Sequence, residues 1–90
     1  MTNISAAHDA AQSADEQYVR ARDLFGAAVA AWSARADQEP DGEVRARLVA
    51  ELLAERQRQR HLGPDDADAV SAVLRDYPVR VLAIRAGTLG

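Results

Sequence analysis

The sequence predicts an all-α protein, a helical bundle in which one long N-terminal helix packs antiparallel against two or three shorter helices. Three observations carry that reading. Tyr18, Phe25 and Trp32 fall seven residues apart, and Ala7, Ala14, Ala21 and Ala28 keep the same step. A seven-residue repeat sets side chains along one seam of an α-helix, and alanine in that seam lets another helix approach closely. Next, Asp37-Gln38-Glu39-Pro40-Asp41-Gly42 is a clear break, where proline and glycine end one helix before another begins. Last, 79–86 is the only segment that alternates as a strand would, and an isolated strand has nothing to pair with.

The first helix is expected over about 5–36. Its start has two candidates, an early cap at Asn3 or Ser5 and a capping-box pattern at Ser13 with Glu16. The early start is favoured because Ile4, Ala7 and Ala11 continue the seam backwards. Gly26 costs about 1 kcal/mol against alanine inside a helix. It marks either a close approach of two backbones or a weak spot on a solvated face.

Asp41 suits the N-cap of a second helix over about 42–61. Val44, Leu48, Val49, Leu52 and Leu53 make its apolar stripe, which fades from Glu55 onwards; Leu62 and Gly63 close it. Pro64 fits the first position of a third helix over about 64–76, followed by Asp65, Asp66 and Asp68 at its positive end. Val70, Val73, Leu74 and Tyr77 form the buried face, and Pro78 interrupts it. Over 79–86, Val79, Leu82, Ala83 and Ala86 fit a short helix ended by Gly87. Val79, Val81 and Ala83 also alternate as in a strand, but with no partner strand a helix is expected.

Ninety residues make one small domain, 1–90. Hydrophobic content of 48% and charge of 28% belong to a folded chain, although much of the apolar share is alanine, which buries little area. Without cysteine there are no disulfides, thiolate nucleophiles or cysteine metal sites. No basic stretch followed by an apolar block opens the chain, and the longest apolar run, Ala27–Trp32, is far short of the roughly 20 residues that cross a bilayer. A cytoplasmic protein without membrane contact is expected. A net charge of −3 gives no global attraction to nucleic acid or anionic lipid.

The motifs that resemble chemistry are incomplete. Asp37, Glu39, Asp41 and Gly42 match the opening of a calcium loop, but the closing glutamate falls at Leu48. Asp65-Asp66-Ala67-Asp68 has alanine at position 69, where a magnesium motif needs another carboxylate, so it reads as helix-end electrostatics. His8 and His61 stand alone, and no serine lies in a glycine-flanked nucleophile turn. No catalytic residue, cofactor or metal ligand is assigned.

Two functional readings follow. At 1.5 Å per residue the first helix is roughly 45–50 Å long, more than the later helices cover. Its alanine-rich opening is left for a second copy of the chain or another helical protein. A non-enzymatic, self-associating module, as a dimer, is therefore expected, with Ala7, Ala11, Ala14 and Tyr18 in the interface. The alternative is a small DNA-binding regulator using Arg56, Arg58 and Arg60 beside His61, with a following helix as the reader. Against it, arginines two apart splay around a helix, three aspartates open the reader, and Glu55 can neutralise Arg58.

Overall fold

A computed structural model of the protein describes the backbone of residues 2–89 and the side chains of residues 13–89. Three helices are present: α1 (Thr2–Gln38), α2 (Gly42–His61) and α3 (Ala67–Ala86). There is no strand among the described residues.

α1 passes through Ser13 without a break, so the Ser13–Glu16 pair opens no helix. Gly26 is exposed, and a Cβ built there meets nothing within 4 Å. It is a weak spot on a solvated face and not a close helix crossing. The turn after α1 is held locally: Asp41 Oδ1 accepts from the backbone N–H groups of Glu43 and Val44 at 2.9 and 3.1 Å, capping α2. Glu39 in turn accepts from the Asp41 N–H at 3.0 Å. The calcium-like string is thus a set of backbone caps, and Leu48, at the position of the missing ligand, is buried.

The third helix differs from the expected pair of segments over 64–76 and 79–86. α3 is one helix, with Pro78 inside it. Pro64 lies ahead of it, in a turn where the Asp66 N–H donates to Gly63 O at 3.2 Å. The fixed φ of proline serves a turn as well as a first helical turn. The carboxylate of Asp66, which accepts from the Ala69 N–H at 3.2 Å, decides where the helix starts. Pro78 removes a donor from the helix but sits on the exposed side.

Burial on both sides of the proline keeps the helix whole: Val70 and Val73 before it and Val81 and Ile84 after it are all core residues. That continuity resets the phase of the last turns. Val79 and Leu82, the expected buried face of 79–86, are 70% and 63% exposed. The helix ends at Gly87, whose φ of 75° lies in the left-handed region. Gly87 N–H bonds Ile84 O and Thr88 N–H bonds Ala83 O, at 3.1 and 3.0 Å, a Schellman arrangement.

α2 and α3 both pack on α1, and among the described residues no Cα of α2 comes within 8 Å of a Cα of α3. Two apolar clusters result. One joins Ala28, Ala31, Trp32 and Ala36 of α1 to Leu48, Val81 and Ile84. The other joins Ala21 and Phe25 to Leu62, Val70 and Val73. Tyr77 touches both, with its ring 4.6 Å from that of Phe25. The seven-residue seam from Tyr18 to Trp32 is therefore the line on which the core is built. The Tyr18 hydroxyl donates to Leu62 O at 3.4 Å, and Gln59 Nε2 to Arg22 O at 3.0 Å, so the last turn of α2 lies beside that stretch of α1.

Candidate functional site

Between the two apolar clusters lies a buried charge. Leu48, Glu55 and Leu62, the residue that follows α2, stand seven apart in the chain and all three are buried, so Glu55 occupies a core position. It is completely buried. Each helix supplies it with donors. Tyr77 of α3 donates its hydroxyl to Oε2 at 2.7 Å. Arg80, one turn further along α3, reaches Oε1 through Nε at 2.8 Å and Nη2 at 2.6 Å. Arg58 of α2 approaches Oε1 at 3.1 Å from a half-exposed position. Trp32 Nε1 of α1 lies 3.5 Å from the same oxygen, at the outer limit of a hydrogen bond. Every buried side-chain polar atom among the described residues has a partner.

The electrostatics follow from this geometry. Burial is the largest single influence on Glu55 and opposes its charge. The hydrogen bonds from Tyr77 and Arg80, with the charges of Arg80 and Arg58, together outweigh it and hold the carboxyl below its ordinary 4.5. Burial, followed by the bond to Glu55 and its negative charge, pushes the Tyr77 phenol up to about 12. At neutral pH the cluster is therefore a carboxylate, a guanidinium and a neutral phenol. It is a closed network in which both carboxylate oxygens have partners within the protein. In the sequence, Glu55 reads as the point from which the apolar stripe of α2 fades. The signal that marks it is its place midway between Leu48 and Leu62.

The residues singled out from sequence fall in three places. Ala7 and Ala11 lie outside the described side chains. Ala14 is exposed, as are all residues from Ser13 to Gln17, while Tyr18 is half-buried against α2. Arg56 and Arg60 are exposed one turn apart on α2, and Arg58 is turned towards Glu55. The structure does not bring the three arginines together on one stripe. The Asp65–Asp68 run supplies the α3 cap through Asp66. His61 is exposed. Among the described residues no three histidine or acidic side chains converge on a possible metal position, and no helix is long and apolar enough to cross a membrane.

Several large apolar side chains face outward: Val19 on α1, Val49 and Leu53 on α2, and Val79 and Leu82 on α3. The surface depressions are shallow. One of about 250 Å³ runs over Ala30, Ala31 and Ala34 beside Arg35 and Arg85. Arg35 is already committed, donating to Leu89 O and stacking over Trp32 at 5.5 Å. Comparison with protein families, curated proteins and solved structures finds no match for this chain.

Proposed function

We propose that the protein is a non-enzymatic, cytoplasmic assembly module that self-associates as a dimer through the N-terminal part of α1. In this reading α2 runs back antiparallel along α1 and stops beside Tyr18, so the preceding turns of α1 are left for a second copy. Ala7, Ala11, Ala14 and Tyr18 lie in the contact. The observation that carries the proposal is the exposure of Ser13–Gln17, including Ala14, shortly before the buried seam that begins at Ala21. A seam that continues at the same seven-residue step past its own cover is the pattern of a helix built for a further partner. The closed Glu55 network supports a non-enzymatic role, since its groups are spent on one another.

Ala14→Glu tests the interface. Because Ala14 is exposed in the single chain, the substitution should leave the folded monomer intact while weakening association, by placing a charge in a tight helix contact. Sedimentation over a wide concentration range reads both. A compact monomer at the highest concentration of the unmodified chain ends the self-association reading and leaves another helical protein as the partner. The nucleic-acid alternative rests on Arg56 and Arg60. Duplex binding that falls steeply with salt, and is lost when both become glutamine, would replace the assembly reading.

A further inference from the structure

On the self-association reading proposed above, we infer that the second copy docks in the groove between α1 and α2, with Asp15 of each copy set among Arg22, Arg56 and Arg60 of the other. Two exposed stripes flank that groove. On α2, Val49, Leu53, Arg56 and Arg60 follow at steps of four, three and four, which places them on one helix face. On α1, Asp15, Val19 and Asp23 follow at steps of four. Both stripes lie on the flank away from α3. Glu55 and Arg58 turn towards Arg80, which leaves the Arg56–Arg60 side of α2 open. Val19 and Asp23 line one shallow depression with Tyr18, Arg22 and Gln59 of α2, so the two stripes share a groove.

The lining decides what fits. Val19, Leu53 and Val49 are 57%, 53% and 39% exposed and make an apolar strip along the groove. Arg22, Arg56 and Arg60 stand exposed beside it against one acid, Asp23, and among the described residues none of the three is in an ion pair. A basic, partly apolar groove on a chain of net charge −3 calls for a helix that is acidic and has small side chains. The opening of α1 is such a helix. Thr2–Val19 holds Asp9, Asp15 and Glu16, five alanines, and no arginine or lysine.

The geometry closes with a two-fold axis. Tyr18 meets Leu62 and Arg22 meets Gln59, so Arg60 and Arg56 stand level with the turns of α1 that follow Val19. Two copies that cross antiparallel about an axis at Val19 bring Asp15 of each to the level of Asp23 of the other. That level lies between Arg56 and Arg60. Val19 then meets Val19 on the axis, and the alanine-rich turns before Asp15 run on along Leu53 and Val49. A two-fold contact is made twice, so each charge pairing counts double in the dimer.

Charge exchange, read by sedimentation at low salt, tests the docking. Asp15→Arg and the double variant Arg56→Glu, Arg60→Glu alter exposed residues only, so both should keep the parent's helix content and urea midpoint at high dilution. Each by itself should weaken self-association roughly tenfold or more, because like charges then meet in both contacts. Mixed in equal amounts, the two variants should associate about as tightly as the parent, since every contact again sets arginine against carboxylate. Added salt should weaken the parent's association. A parent that associates while the double variant does so equally well, or a mixture that restores nothing, overturns the groove and leaves self-association standing. A parent that stays monomeric at every concentration overturns both, and salt-sensitive binding of duplex DNA would then give Arg56 and Arg60 to the nucleic-acid alternative.

Discussion

Leu48 and Glu55 sit on the same face of α2, two turns apart, both out of reach of solvent, and they hold the bundle together in opposite ways. Leu48 joins an apolar cluster with Trp32, Val81 and Ile84, where many interchangeable contacts add up. Glu55 sits in a polar node where four named side chains meet one carboxylate. Apolar packing scales with area and tolerates rearrangement, whereas a buried charge is stable only with its donors in place. The comparison separates stabilisation that adds up over area from stabilisation that depends on particular partners.

The largest effects should come from breaking the two positions separately. Arg80→Ala leaves Glu55 short of its main counter-ion, and urea denaturation should show a loss of about 3–5 kcal/mol. Leu48→Ala opens a cavity and should cost about 2–4 kcal/mol. A cost for Arg80→Ala below 1 kcal/mol would mean that water or Arg58 takes over, and that the node is less closed than its burial implies.

Titration sharpens the contrast, since of these two positions only the node carries ionisable groups. Glu55 titrates below 4.5 in the folded protein, so its contribution is complete above 4.5 and is lost as pH falls through the folded value. Tyr77 runs the other way. Its folded value is raised from 10.0 to about 12, so its contribution is complete below 10.0 and is lost as pH rises through that window. Thermal midpoints of the parent should therefore fall at both extremes. Tyr77→Phe should remove part of the alkaline fall, and Glu55→Gln part of the acid fall, while Leu48→Ala shifts the whole curve without changing its shape. Curves of identical shape for all four proteins would refute the assigned titrations.

The smallest effect belongs to neither position. Gly26 is exposed with open space where a Cβ would go, so Gly26→Ala should stabilise the fold by about 0.5–1 kcal/mol in the same urea assay. A loss would point to a neighbour closing on that face when copies associate, which ties this measurement to the proposed assembly.

Much of the local architecture was legible in the residues. The capping carboxylate of Asp41, the left-handed Gly87 and the spacing of Phe25 and Trp32 each act over a few residues, through backbone hydrogen bonds or helical period, and a sequence displays such short-range causes directly. The reading erred where local and distant causes compete. Pro78 argues for a break, but Val70, Val73, Val81 and Ile84 find one continuous surface on α1, and the burial of four side chains outweighs one missing hydrogen bond. Consequently the last turns bury Val81 and Ile84 and expose Val79 and Leu82.

The node was less legible still. Glu55 looked like the first residue of a charged helix end because its neighbours Arg56, Gln57 and Arg58 are polar. Its partners Tyr77 and Arg80 lie more than twenty residues away in sequence, and nothing local announces them. What the sequence determined alone is the break between α1 and α2, the period at which the helices repeat and the seam along α1, all set by neighbours along the chain. Which carboxylate is buried, which arginine meets it and which apolar residues remain outside were decided only when three helices came together. Desolvation and ion pairing depend on what surrounds a group in space, not on what adjoins it in the chain.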